Sequence, residues 1–389
     1  VTASPPGARP GSPLALPALF FASVAVFADL YITQPILPLL SRDFGVPAPT
    51  AALTLSVVVL MIALFSNAYG PLADAWGRKP VMVASCAALA VPTLLCAAAP
   101  TFAALVALRA LQGLLVPGVA AVAVAYLGDE YAGAALGPAV GSYVAASVFG
   151  GLTGRVASGW IASHFSWRGP FLVFGAVTLL GALGMALHLP ATPPGTSRSV
   201  GIAFREMAGH LKDRRIVGGL VIGASVFFGF IAIFTYLPYY LTAPPFGLST
   251  AKVSGVYLVY VAGIATSWLA GRASERFGRR AIMAAGFVVA SGAAVGTLAG
   301  SLGAILLALV AVVIGMFLVQ GTAPAWVNAS AREAKGGAGA LYSTFYYLGA
   351  TFGSVLPGYA WQAWGWPGVV FASLAAFAAG ILSVVFLCA

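Results

Sequence analysis

Residues 70–82 read GPLADAWGRKPVM, and residues 271–283 read GRASERFGRRAIM. Each segment opens on a glycine, places an acid four residues on (Asp74, Glu275), then a second glycine (Gly77, Gly278) and two adjacent bases (Arg78 and Lys79, Arg279 and Arg280). The copies lie 201 residues apart, about half of a 389-residue chain. A second pair agrees: residues 154–167 align with residues 353–366 at an offset of 199, glycine to glycine and tryptophan to tryptophan. The chain therefore reads as two related halves. Repeated halves with a site at their interface are a common plan among transporters.

What surrounds these segments is apolar. A bilayer-spanning helix takes about 20 mostly apolar residues. Runs of that kind fall near 15–40, 50–72, 80–99, 102–127, 137–163, 169–189, 216–241, 251–271, 280–299, 302–327, 338–362 and 367–388. The two quoted segments thus occupy the tight loop after the second run of each half. The chain is 61% hydrophobic and 7% charged, against about a quarter charged in a soluble domain. Lipid is the solvent that such a surface suits. The expectation is an all-α polytopic membrane protein with twelve transmembrane helices in two pseudo-symmetric six-helix bundles. Residues 1–13, Pro/Gly-rich, read as a disordered tail without a signal-peptide pattern. Residues 14–190 form the first bundle, 191–215 a cytoplasmic linker and 216–389 the second bundle. Within the linker, Phe204, Met207, Ala208 and Leu211 recur at helical spacing beside Arg205, Lys212, Arg214 and Arg215. That pattern predicts a short helix on the membrane face, with a solvated linker as the alternative.

A net charge of +10 raises the question of nucleic acid, and the distribution of the bases answers it. With the N-terminus cytoplasmic, Arg78, Lys79, Arg198, Arg205, Lys212, Arg214, Arg215, Arg272, Arg276, Arg279, Arg280, Arg332 and Lys335 fall inside, and only Arg42, Arg168 and Lys252 outside. This is the positive-inside bias of an inner-membrane protein with both termini cytoplasmic, so no nucleic-acid partner is needed. Cys86, Cys96 and Cys388 are scattered, as are His164, His188 and His210. They predict neither a disulfide framework nor a metal site. No nucleophile–base pair and no phosphate loop marks an enzyme. The expected partners are the bilayer and a small-molecule substrate, for a monomer with no cofactor, driven by a proton gradient.

The loop G-x-L-x-D-x-x-G-R-K, carried by Gly70, Leu72, Asp74, Gly77, Arg78 and Lys79, resembles the signature of the major facilitator superfamily, and the resemblance extends over nearly the whole chain. Arg109, Gln112 and Gly113 resemble that family's R-x-x-Q-G motif, and the stretches FADLYITQPILP and APPFGLS look most like its drug:proton antiporter branch. The resemblance implies a cytoplasmic gate at Gly70, Asp74, Gly77, Arg78, Glu275 and Arg279. The loop glycines permit a tight turn and close helix approach. Asp74 can meet helix N-terminal dipoles, and the bases can meet helix C-termini or acids across the halves. Merely anchoring topology is the alternative for the bases. Antiporters of the branch carry G-x8-G-x3-G-P-x-x-G-G in the fifth span. Gly141, Gly150, Gly154 and Gly159 keep that spacing, while Arg155 stands in the proline position and Ser158 in a glycine position.

Three ionisable residues remain at membrane depth: Asp29, Arg109 and Arg155. Each is costly against lipid and should face a cavity or a partner, and the three are expected to cluster. Asp29 is the proton-coupling candidate with Arg109, because opening and closing water access to a carboxylate changes its proton affinity. A structural acid neutralising Arg109 is the alternative. Arg109 aligns with Phe317 in the second half, so the scaffold itself does not require an arginine there. The second half offers tyrosines, each an apolar face with one hydrogen bond. Tyr236 and Tyr346 lie deepest among them. With Tyr31, Gln34, Asn67, Gln112, Gln320 and Arg155 they are the substrate-binding candidates. The pattern predicts a proton-coupled exporter of small amphipathic organic compounds, or, on the same scaffold, an importer or exchanger of small organic anions.

Overall fold

The computed structural model describes residues 13–191, 205, 207–331 and 333–388. Most of the expected tail and the first part of the linker lie outside the described residues. Eleven segments among the described residues are long and apolar enough to cross a membrane. They are α1 (Ala15–Phe44), α2 (Ala48–Trp76), α3 (Arg78–Cys96), α4 (Phe102–Glu130), α5 (Gly133–His164), α6 (Gly169–His188), α7 (Arg214–Thr242), α8 (Thr250–Phe277), α9 (Arg279–Gly296), α10 (Leu302–Ser330) and, at the end, Trp366–Phe386. Between α10 and that last segment lies α11 (Lys335–Trp364), 30 residues long; the final segment is α12. At 1.5 Å per residue α11 has the length to span. It falls outside the apolar set because Tyr342, Ser343, Thr344, Tyr346 and Tyr347 interrupt it. The expected twelve helices are present, eleven of them strongly apolar.

Local chemistry marks the helix starts at matching places in the two halves. Thr101 caps α4 by accepting from the Ala104 amide, and Ser301 caps α10 by accepting from Ala304. Such caps contribute about 1 kcal/mol each. The quoted loops also match in backbone: Gly77 has φ 89° and ψ 143°, Gly278 φ 85° and ψ 143°. Side chains other than glycine's are strained there, which explains why both copies keep the residue.

Packing repeats as well. In the first half α1 lies on α5 and α6, α4 on α2 and α3, and α3 on α6. In the second half α7 lies on α11 and α12, α10 on α8 and α9, and α9 on α12. Close helix approaches coincide with the aligned glycines. A β-carbon on Gly154 would stand 2.4 Å from the Ala28 carbonyl oxygen, and one on Gly353 2.4 Å from that of Phe228. The halves meet along α2–α11 and α5–α8, with further contact between α1 and α7. Many large apolar side chains face outward, among them Phe21, Leu64, Trp160, Leu180 and Leu307, as a lipid-facing surface requires.

In the described end of the linker, residues 207–210 are helical; Met207 is buried against the main core, and the His210 ring approaches the Ala334 carbonyl at 3.2 Å.

Candidate functional site

A cavity of about 540 Å³ lies between the halves. The first half contributes Phe27 and Tyr31 from α1, and Ser147, Gly151 and Arg155 from α5; the second contributes Phe227, Phe230, Tyr260, Phe317, Gln320, Tyr346 and Tyr347, among others. These positions run from mid-membrane toward the face that carries the Gly77 and Gly278 loops, called here the basic face. On the other side the halves are tied together. Gln34 Nε2 donates to Thr235 Oγ1 at 3.2 Å, and Ser41 and Tyr239 share a hydroxyl hydrogen bond of 2.6 Å. The α2–α11 seam is bonded at two depths, Ser56 Oγ to the Thr351 carbonyl at 3.1 Å and Asn67 Nδ2 to Thr344 Oγ1 at 3.0 Å. The seam between α5 and α8 is closed where Ser254 meets Gly159. Twelve residues along α5, about 18 Å at the helical rise, Ser147 lines the cavity instead, and so does Ser267 of α8. The cavity is therefore closed on one side and splayed toward the basic face.

Arg155 is the cavity's cation. It is 2% exposed, yet no ion pair involves it among the described residues. Its Nε donates to Gln34 Oε1 at 2.6 Å and its Nη1 to the Gly151 carbonyl at 2.8 Å. The guanidinium carbon sits 3.5 Å from the Tyr31 ring centroid and 4.6 Å from that of Tyr260. A desolvated cation–π contact contributes about 2 kcal/mol, so rings, an amide and a carbonyl hold this charge without an acid. The second-half wall is stacked: the Phe227 and Tyr346 rings are parallel within 11° at 3.9 Å, and Phe230 meets Tyr260 edge-on at 5.2 Å.

The expected cluster of Asp29, Arg109 and Arg155 divides into two. Asp29 points away from the cavity, between α1, α3 and α6. Its Oδ2 accepts from Thr178 Oγ1 at 2.8 Å and Thr93 Oγ1 at 3.3 Å, while Oδ1 is buried without a partner among the described residues. Arg109, fully buried, makes no ion pair with that carboxylate. It donates to the carbonyls of Thr54, Asp29 and Leu30 at 2.8, 2.8 and 2.9 Å, and to Gln112 Oε1 at 2.7 Å. Gln112 in turn donates to Thr93 Oγ1 at 2.6 Å. Arg109 thus pins α4 to α1 and α2, and reaches the Asp29 carboxylate only through Gln112 and Thr93.

Of the substrate-binding candidates, Arg155, Tyr31, Gln320 and Tyr346 line the cavity. The other four do not. Gln34 is buried in the closure above it, and Gln112 lies inside the first bundle. Asn67 sits in the α2–α11 seam, and Tyr236 donates to the Ser354 carbonyl at 2.8 Å within the second bundle. Phe27, Phe227, Phe230, Met316 and Phe317 line the cavity without having been singled out; phenylalanines in uniformly apolar runs carry no signal that tells cavity from lipid.

At the basic face Arg78 pairs with Asp129, donates to the Ala125 carbonyl near the end of α4, and stands 3.9 Å from Asp74. Lys79 donates to the Leu189 carbonyl beyond α6 at 2.5 Å. These partners, all among the described residues, are helix C-termini and acids of the same half. Gly70 has nothing within 4 Å of a built β-carbon, and Glu275 and Arg279 are exposed.

Residues 19–335 match the family model described as Major Facilitator Superfamily. The chain is 34% identical over 354 residues to the inner membrane transport protein YnfM of Escherichia coli (strain K12), covering 90% of this chain and 85% of that protein. It is 32% identical over 355 residues to the uncharacterized MFS-type transporter YybF of Bacillus subtilis (strain 168), covering 91% and 88%. A solved bacterial homolog of the human lysosomal transporter Spinster, inward-facing and unoccupied, superimposes with a TM-score of 0.78 at 18% identity, covering 98% of this chain and 95% of that one.

Proposed function

Because the chain belongs to the major facilitator superfamily and is a membrane transporter rather than an enzyme, we propose that it exports small amphipathic organic compounds in exchange for protons, by alternating access. The observation that carries this reading is the cavity itself. An aromatic wall from the second half faces one cation, with hydroxyls from both halves and the Gln320 amide. Its volume of about 540 Å³ lies in the range that takes drug-sized organic molecules. A hydrated inorganic ion would find too few oxygen ligands there.

The excess of bases on one face supports a cytoplasmic assignment for that face, with both termini cytoplasmic, in a bacterial inner membrane. The described conformation is then the one that loads cargo from the cytoplasm. The stretches FADLYITQPILP and APPFGLS support the drug:proton antiporter branch. Asp29 is the proposed proton carrier, with Arg109 holding α1 in place around it. Tyr31, Arg155, Gln320 and Tyr346 are the proposed cargo contacts, and Gln34 the proposed closure above them. The Asp74–Arg78 loop is the proposed gate at the cytoplasmic face.

Reconstitution into liposomes tests this. Cargo should accumulate against its gradient only when a proton gradient of the right polarity is imposed. Dye-reported proton flux should run opposite to cargo flux. Cargo movement that ignores the proton gradient, or proton flux in the same direction as cargo, overturns the antiport reading.

A further inference from the structure

Among the described residues, Arg155 is the only charged one that lines the cavity. Two of its in-plane donors are used, Nε on Gln34 and one Nη1 hydrogen on Gly151. Nη2 bonds to no carbonyl or amide among the described residues, and the Tyr31 hydroxyl is the polar group beside it in the first half. Tyr31 covers a face of the guanidinium at 3.5 Å, which leaves the in-plane edge for a ligand. In-plane, charge-assisted bonding is how a guanidinium binds an oxyanion. Next to it stands Tyr260, 6% exposed, whose hydroxyl has no hydrogen-bond partner among the described residues. Both are cavity residues. Across the cavity the parallel Phe227–Tyr346 pair offers a flat apolar surface.

We infer that this site takes a small organic oxyanion, a carboxylate or its like on a flat apolar body, with the anionic head on the Arg155 edge beside the Tyr260 hydroxyl and the body against the Phe227–Tyr346 pair. The inference rests on the reading of the cavity as the cargo site. A cationic cargo meets Coulomb repulsion from a guanidinium that has no acid to offset it, and the low-dielectric surroundings strengthen that repulsion. A neutral cargo leaves the charge unmatched. The oxyanion alone completes both unused donors.

The test uses the purified full chain in detergent or nanodiscs and matched sets of aryl probes: 2-naphthoate, 2-naphthamide and 2-naphthylmethylammonium, with the corresponding benzene set. Binding is read by thermal shift and by calorimetry. The carboxylates should bind at least about tenfold more tightly than the amides, the loss that accompanies a missing charge-assisted hydrogen bond, and the ammonium probes should bind weakest. Arg155→Gln should erase the preference while leaving amide binding in place, and that retained binding shows that the variant is folded. Arg155→Lys should keep part of the preference, and Tyr260→Phe should weaken carboxylate binding severalfold. Equal binding of amide and carboxylate, a preference that survives Arg155→Gln, or no carboxylate bound overturns the inference. Ser147→Trp, which fills the cavity, separates the two readings. If it abolishes binding of probes that show no charge preference, the oxyanion assignment fails and the cavity stands. If carboxylate binding survives it, the cavity reading fails as well.

Discussion

Arg155 and Gln34 are joined by a hydrogen bond of 2.6 Å, and the same Gln34 amide donates across the interface to Thr235. One side chain therefore touches both the cavity's cation and the closure on the far side of the membrane. For the halves to open on that side, the Gln34–Thr235 bond must break, and Gln34 is then free to turn relative to the guanidinium. If Arg155 holds cargo, as proposed, its occupancy and the state of this closure are linked through the Gln34 amide.

Gln34→Ala removes that link. The closed side loses a cross-half bond worth about 1 kcal/mol, which shifts a two-state equilibrium about fivefold. A cysteine placed at Ser41, the next closure residue outward, should react correspondingly faster with a membrane-impermeant thiol reagent added on that side. Thr235→Ala should shift the rate in the same direction. Unchanged labelling in both variants means that the amide is not part of the closure.

Arg109 is a staple more than a charge. Its contacts go to three backbone carbonyls and one amide. Lysine keeps the charge but cannot spread donors over carbonyls of two helices. Leaving buried carbonyls unpaired costs about 1–3 kcal/mol each. Arg109→Lys and Arg109→Ala should therefore lower the melting temperature in detergent by similar amounts, read by intrinsic fluorescence. A lysine variant as stable as the parent would assign the residue a purely electrostatic task.

The scaffold was legible in the sequence because its determinants are local. Gly77 and Gly278 adopt the same positive-φ backbone, and Thr101 and Ser301 cap equivalent helices. The aligned Gly154 and Gly353 mark equivalent crossings. Rotation about each helix axis was not legible. Helix α1 is apolar nearly all round, so nothing in its pattern says which way Asp29 points; the partners Thr93 and Thr178, on two other helices, decide it. Gln112 and Gln320, matched in the sequence at an offset of 208, part company because Thr101 and Ser301 start their helices at an offset of 200: one is sealed inside its bundle, and the other, about two turns farther along its helix, lines the cavity.

Asp29→Asn tests coupling apart from folding. The amide oxygen can still accept from Thr178 and Thr93, so the packing of α1 against α3 and α6 should persist and the melting temperature should stay within a few degrees. The group can no longer carry a proton. Flux driven by a pH gradient should fall at least tenfold, while exchange of labelled for unlabelled cargo, which needs no net proton movement, continues. A variant that keeps full pH-driven accumulation removes Asp29 from the coupling path. One that loses both activities together with its stability assigns the carboxylate a structural task.

The glycines separate packing from gating. At Gly154 a methyl group meets the Ala28 carbonyl oxygen at 2.4 Å and the Ala28 Cα at 2.7 Å, and at Gly353 it meets Phe228 in the same way. Alanine there must push two helices apart, and the overpacking costs about 1–3 kcal/mol. Both variants should melt earlier than the parent. Gly154→Ala also displaces the stretch of α1 whose carbonyls Arg109 holds, so it should be the more damaging of the two. Gly70 is the contrast. It is helical with open space around it, so alanine there should be neutral or slightly stabilising in a melt, in line with its higher helix propensity. If the Asp74–Arg78 loop closes against the second half when the basic face shuts, the space beside Gly70 is used only in that other conformation. Gly70→Ala should then slow transport severalfold with no loss of melting temperature. Unchanged transport would mean that the loop turns the chain and anchors its orientation without taking part in the gate.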